Sequence, residues 1–453
     1  MIWVSFAVLI GTLMASLALL RSSRGDALGI PLVAIGSFSF LYVIQPIQLI
    51  VTGGSEIFLT QWQFAHALLV PAVMMAFFMW GWLRPVRQRL EAVAPWDSED
   101  MWKVGFGAAC IGLILYLAFL ELSGGVTHSF SQAHGAAMDF SDNTAYLYDG
   151  PWLMLSGSAM MIFGNARSSS RKRWRALAPY AFLLIYFSTA ILTASRGPLF
   201  AVATTYFVGQ SIAQRKKVSF GEAARMLLPV SVAVLLLVGY RNVLHLGPEA
   251  SSHVASAETA YNEVAGVSEY DKEHDTASQE FLYHAAMLET VDETGKLDYG
   301  LNWLEFFFIN PIPRVLWHDK PKPDYFGVTW GDIDENMGLD IVTGAAPGIV
   351  ADMYARFHIL SALFFLALGW SLRRLFISAR NLGSPLAAVG YVMVYAVSLN
   401  MFAQGFGACF VPLGYSMVPV VLFAWASRRR ARARRNEIIV RQALALRGGP
   451  WSS

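Results

Sequence analysis

The sequence predicts an all-α polytopic membrane protein with one large loop on the outer side of the membrane. Three observations predict it. Hydrophobic residues make up 55% of the 453-residue chain and charged residues only 15%, with a mean hydropathy of +0.45, whereas a soluble chain carries roughly a quarter charged residues. The apolar residues fall into long runs, near the ~17–25 residues that a helix needs to cross a hydrocarbon core. Basic residues recur in clusters after every second run. Inside a bilayer the backbone must satisfy its own hydrogen bonds, so such runs are helices rather than open strands.

Taken along the chain, the hydropathy pattern gives about eleven spans. They are Ile2–Leu20, Ala27–Val51, Trp62–Leu83, Trp102–Leu120, Pro151–Gly164, Ala176–Thr193, Pro198–Ala213, Met226–Leu244, Pro347–Trp370, Pro385–Phe402 and Val411–Ala426. The fifth and seventh are short for a perpendicular crossing. Residues 1–246 thus carry eight spans, 247–345 the large loop, 346–427 three more spans, and 428–453 a basic tail.

Orientation follows from lysine and arginine. No basic residue precedes the first span, and Arg21 and Arg24 follow it. A cleaved signal peptide has the reverse order, so the first span reads as a retained helix with its N-terminus outside. Every second connection should then be cytoplasmic and basic. Arg84, Arg87 and Arg89 follow the third span; Arg167, Arg171, Lys172, Arg173 and Arg175 the fifth; Arg215, Lys216 and Lys217 the seventh. Arg373, Arg374 and Arg380 follow the ninth, and the run from Arg428 to Arg435 the last. The C-terminus is accordingly expected in the cytoplasm, and the chain in an inner membrane.

The large loop is acidic, with Glu269, Asp271, Glu273, Asp275, Glu289, Asp292, Glu293, Asp332, Asp334, Glu335 and Asp340 among its residues. The net charge of +2 hides this separation. A basic inside and an acidic outside exclude nucleic acid as the expected partner. Within the loop, Ser278–Glu293 has Phe281, Ala285, Leu288 and Val291 at helical spacing. Leu301–Trp317 is aromatic, broken by Pro311 and Pro313 and too short to span, which suits an interfacial or re-entrant segment. A second outer connection holds His128, His134, Asp139 and Asp142. Cys110 and Cys409 have no paired spacing and read as packing residues. Asp332-Ile333-Asp334 matches the Asp-x-Asp of nucleotide-sugar transferases, but nucleotide sugars are cytoplasmic and this loop is outside, so the match reads as chance.

The residues that break the positive-inside pattern are the most informative. Arg196, Arg241, Arg314, Lys320 and Lys322 fall on the outer side, and Arg356 lies within the ninth span. Charge at membrane depth is costly and faces a polar cavity or a partner. Arginine's planar fork of donors suits bidentate binding of phosphate.

Three segments together resemble the bacterial O-antigen polymerases, the oligosaccharide repeat unit polymerases of the Wzy type. They are Thr193-Ala194-Ser195-Arg196-Gly197, then Ile312-Pro313-Arg314-Val315-Leu316-Trp317-His318-Asp319-Lys320-Pro321, and Gly348-Ile349-Val350-Ala351-Asp352-Met353-Tyr354. The chain departs from that family in having Asp352 where glutamate is more usual. The resemblance implies a fold related to the lipid-dependent membrane glycosyltransferases. It implies a polymerase of undecaprenyl-pyrophosphate-linked glycans, which moves the growing chain onto a new lipid-linked repeat unit. Its partners would be those glycans and membrane lipid, and it admits a chain-length regulator. The polymer is O-antigen or another exopolysaccharide.

The leaving pyrophosphate needs fixed positive charge, for which Arg196, Arg241, Arg314 and Arg356 are candidates, with Lys320 and Lys322 as auxiliaries. The acceptor hydroxyl needs a base, for which Asp352, Asp319, His318 and His284 are candidates. No metal and no cofactor is required if the arginines carry the charge. Two alternatives remain: an O-antigen ligase acting on the lipid A core, and a transporter or lipid-linked glycan flippase. Neither a repeat between the halves nor mid-span charges speaks for transport.

Overall fold

The computed structural model describes residues 1–22, 28–51, 59–86, 97–123, 125, 145–168, 173–192, 196–223, 225, 279–309, 317, 319, 330–337, 346–381 and 384–447. Every regular element among the described residues is helical. The first helices are α1 (Ile2–Ser22), α2 (Ile30–Ser39), α3 (Gln45–Val51), α4 (Gln61–Leu83) and α5 (Ser98–Leu122), with a π-turn at Phe40–Ile44 joining α2 to α3. They are followed by α6 (Pro151–Arg167), α7 (Arg173–Leu192) and α8 (Arg196–Ala213). The loop region contributes α9 (Gln279–Thr294), α10 (Leu301–Phe308) and α11 (Trp330–Met337). The last group is α12 (Gly348–Phe357), α13 (Ser361–Arg380), α14 (Pro385–Gln404) and α15 (Phe410–Arg447).

Seven described helical stretches are long and apolar enough to cross a membrane: Ile2–Ser22, Ile30–Val51, Gln61–Leu83, Ser98–Leu122, Gly348–Arg380, Leu386–Gln404 and Gly407–Arg430. They correspond to the first four and last three expected spans. The fifth, sixth and seventh expected spans are the helices α6, α7 and α8, which are not among the seven. The eighth, Met226–Leu244, lies outside the described residues. The ninth is interrupted. His358 takes φ +50° and ψ −135°, breaking the helix between α12 and α13.

Local sequence explains where several helices start. Thr60 and Gln63 form a reciprocal capping box at α4, with Gln63 Oε1 accepting from the Thr60 N–H at 2.8 Å. Asp97 caps α5, its carboxylate accepting from the Glu99 N–H at 2.8 Å, and Glu99 and Asp100 add negative charge to the first turn. Pro151 opens α6, where its missing N–H costs nothing.

In lipid there is little hydrophobic drive between helices, so close packing through small residues has to supply it. The pairs α4/α13 and α5/α6 do this backbone to backbone. A Cβ on Gly81 would lie 2.0 Å from the Leu366 carbonyl oxygen, and one on Gly369 would lie 2.1 Å from that of Phe78. Gly105 and Gly157 are interlocked in the same way across α5 and α6. The contacts Met74–Ser361, Phe78–Gly369 and Trp82–Phe376 advance together, so α4 and α13 run parallel.

The basic helix ends converge. Arg430 pairs with Asp100, and Arg175 pairs with Glu99 at 2.5 Å. Asn165 donates to the Arg175 carbonyl, and Arg380 donates to the carbonyl of Lys216 at 2.7 Å. Arg373 lies over Trp82, one residue before the end of α4.

At the opposite end sits α9. The spacing in Ser278–Glu293 suggested a helix with one buried face, but residues 281–288 are buried without a break, as are Thr290 and Val291. This helix is therefore covered on several sides by its neighbours, which include α4, α11 and α12. Gln45 anchors its start. Its Nε2 donates to Glu280 at 2.7 Å, and its Oε1 accepts from the Phe281 N–H at 3.0 Å. In α10, Trp303 turns inward among Phe357, Phe364, Phe406 and Phe410, while Leu301, Leu304 and Phe308 are exposed. Asp332 of α11 is tied to Lys296, just beyond the end of α9.

Candidate functional site

Helix α12 carries two groups of polar side chains, one closed and one open. The closed group centres on Arg356, which is 0% exposed. Its Nε donates to Asp352 Oδ1 at 2.8 Å, and its Nη1 donates to Asp298 Oδ2. The guanidinium also lies 5.0 Å above the Trp303 ring, in cation–π range. Asp352 Oδ2 accepts from the Phe406 N–H at 2.7 Å. Asp298 Oδ1 accepts from the Gly300 N–H at 2.7 Å, and the Tyr299 N–H donates to the Arg356 carbonyl. The group ties the segment after α9 to α12 and to the connection between α14 and α15. Buried charges of this kind persist only where partners satisfy them.

The open group is offset from it by two residues, through Tyr354 of α12 and His358 just beyond the end of the helix. His358 Nε2 is 2.8 Å from Asp292 Oδ1, and the Tyr354 hydroxyl donates to the same oxygen at 2.8 Å. Tyr354 and His358 are themselves 2.9 Å apart. His66 Nδ1 faces the other oxygen, Asp292 Oδ2, at 3.5 Å. The His66 ring stacks on Trp62 and meets the edge of Tyr354. Glu289, one helical turn before Asp292, completes the group. The side chains of Asp292 and His358 are 32% and 44% exposed, against 0% for both Asp352 and Arg356, so of the two groups this second one is open at the surface. His358 is also in a backbone region that favours glycine, at a cost of about 1–3 kcal/mol, and such strain gathers at functional sites.

The sequence-derived candidates separate into four sets. Asp352 and Arg356 come together, but as partners of one another. His284 is buried, with Nε2 3.1 Å from the Ala67 carbonyl. Burial pushes its pKa down to about 3, outweighing the nearby Ala67 and Pro347 backbones, so the ring is neutral. Asp319 lies in an exposed turn. Arg196 is the first residue of α8, and its side chain lies outside the described residues, as do Arg241, Arg314, His318, Lys320 and Lys322. His128, His134, Asp139 and Asp142 lie outside them as well. Cys409 is buried and donates to the Phe406 carbonyl, and Cys110 is half-buried.

Sequence reasoning missed His66, Glu289, Asp292, Asp298, Tyr354 and His358 as site residues. Only two faint signals pointed there. Tyr354 and His358 stand four apart, on one helix face, and His66 is an imidazole in the first turns of an apolar span. No protein-family model matches this chain, and neither the curated proteins nor the solved structures compared with it give a match.

Proposed function

We propose that this chain is an integral-membrane glycosyltransferase. It polymerises undecaprenyl-pyrophosphate-linked oligosaccharide repeat units at the outer face of a bacterial inner membrane. In this reading the seven long apolar stretches, the helices α6–α8 and the segment Met226–Leu244 make up eleven spans. The converging basic ends face the cytoplasm, in keeping with the positive-inside rule. The N-terminus is then periplasmic.

The observation that carries the reading is the open group of Asp292, Tyr354, His358 and His66 at the end of the bundle away from the basic ends. An acid–base group half-open at the outer surface, with the exposed apolar residues Leu301, Leu304 and Phe308 of α10 nearby in the chain, suits a substrate whose glycan is in water and whose carrier is in lipid. The acceptor hydroxyl loses its proton to this group. Arg196, Arg241 and Arg314, with Lys320 and Lys322, stabilise the leaving pyrophosphate. Asp352 and Arg356 act as positioning residues, because each is already satisfied by the other. His284 holds α9 against α4 rather than acting as the base.

The test is surface-glycan length in a deletion strain complemented with wild type, Asp292→Asn, Arg196→Ala or Arg314→Ala. Single-unit glycans in the deletion strain, and no restored ladder with variants that reach wild-type membrane levels, are expected. Long chains in the deletion strain would reject the polymerase. Complete absence of glycan from the core would move the activity to ligation, and full restoration by Asp292→Asn would remove the open group from the chemistry.

A further inference from the structure

We infer that His66, Glu289 and Asp292 form a binding site for a divalent transition-metal ion of the Zn2+/Mn2+ class. One ligand atom from each of these residues lies within 4.8 Å of the other two. The separation of His66 Nδ1 from Asp292 Oδ2 is 3.5 Å, beyond the ~2.7–3.2 Å of a good N–H···O bond. It is close to the ~3.3–3.4 Å edge between two ligands of a tetrahedral ion with bonds of ~2.0–2.1 Å. One imidazole and two carboxylates suit Zn2+ or Mn2+ better than Ca2+ or Mg2+, which take mainly oxygen.

Two further features fit an ion. The free oxygen of Asp292 is oriented by Tyr354 and His358, which both bond to Oδ1 and leave Oδ2 turned toward His66. Outer partners that fix a ligating carboxylate in this way are a regular part of metal sites. The charge also needs a counterpart. Among the described residues no lysine or arginine pairs with Glu289 or Asp292, although the equally acidic Asp352 and Asp298 share Arg356. The three ligands come from two helices, α4 and α9, which the core holds together, so the geometry is built by the fold rather than by a loop.

This site deepens the function proposed above and rests on it only for its role. There, an ion would polarise an oxygen of the bound substrate. The binding claim stands by itself and is tested without glycan. The full-length protein, purified in detergent with its affinity tag removed, is stripped with a chelator and titrated with Co2+ while its visible absorption is followed. Saturation at about one ion per chain is expected, displaced by Zn2+. Pulsed EPR of the Cu2+-loaded wild type should show nitrogen coupling from a directly bound imidazole. Asp292→Asn and the double variant His66→Ala/Glu289→Gln should weaken Co2+ binding by more than about 100-fold, and Tyr354→Phe by about 10-fold. Asp332→Asn, on the neighbouring α11, should leave it unchanged.

No saturable Co2+ band, no imidazole coupling, or equal affinity in wild type and variants would overturn the site. The wild-type measurements decide the matter even if a variant does not fold. Failure to bind metal leaves the polymerase reading standing. A glycan ladder that is normal in the deletion strain leaves the metal site standing.

Discussion

Two polar groups at α12, offset by two residues, have opposite characters. Around the buried Arg356 two carboxylates, backbone N–H groups and an aromatic face satisfy one another with little exposure. Around Asp292 two carboxylates face two imidazoles and a phenol, half-open to the outside. The first group is complete without any ligand, and the second has acidic charge with no arginine or lysine among the described residues to match it. The difference separates charge that holds a fold from charge that awaits a partner. In sequence, an arginine at membrane depth invites a functional reading. Here Arg356 is buried and bonded to Asp352 and Asp298, and the open group is built from residues of ordinary appearance.

The contrast can be broken most severely at Arg356. Arg356→Ala leaves Asp352 and Asp298 buried without their cation, which should cost about 3–5 kcal/mol and reduce the yield of folded protein. Thermal unfolding in detergent, followed by retained monodispersity, reads this. Survival of Arg356→Ala at the wild-type transition temperature would mean that the closed group is not structural.

Acid should come next. His284 has its pKa lowered to about 3 in the fold, against about 6.5 when exposed. The folded state therefore binds fewer protons than the unfolded one between these values. The stability it contributes is fully present above pH 6.5 and is lost progressively as pH falls toward 3. Hydrogen exchange of the α9 amides should accelerate across that window, and the acceleration should be smaller in His284→Gln. An α9 whose exchange has the same pH dependence in both proteins would contradict this placement.

Asp292→Asn should behave in the opposite way to Arg356→Ala. It removes one of two unbalanced carboxylates from a half-open group, so stability should shift by no more than about 1 kcal/mol while the glycan ladder is lost. The smallest effect on the glycan ladder belongs to Tyr354→Phe. It deletes the hydroxyl's half-buried bond to Asp292 and its contact with His358, worth about 0.5–1.5 kcal/mol, and should shorten rather than abolish the ladder. If Tyr354→Phe proved as destabilising as Arg356→Ala, the two groups would not differ as described.

Much of the helical fold was legible in the sequence, because hydropathy and charge act locally. Seven of the expected spans correspond to helical stretches long and apolar enough to cross a membrane. The basic residues assigned to one side meet at one end of the bundle through Arg430–Asp100, Arg175–Glu99 and Arg380–Lys216. The break at His358 was less visible. It lies in an apolar stretch that reads as continuous, and a positive φ at a histidine has no sequence signature. The burial of α9 was also hidden, since its neighbours α4 and α12 lie more than fifty residues from it in sequence.

By itself, the sequence determined that the chain is helical and apolar, where its basic ends lie, and that an acidic segment separates two sets of apolar runs. These properties depend on composition and short-range periodicity, and each residue carries its share of the signal. Only the tertiary structure decided which charges are spent on one another and which are left open. His66, Asp292 and His358 are hundreds of residues apart at the extremes and share no motif, yet Asp292 lies 3.5 Å from His66 and 2.8 Å from His358. Pairing depends on distance in space, and that distance is set by the packing of α4, α9 and α12, which no local pattern encodes.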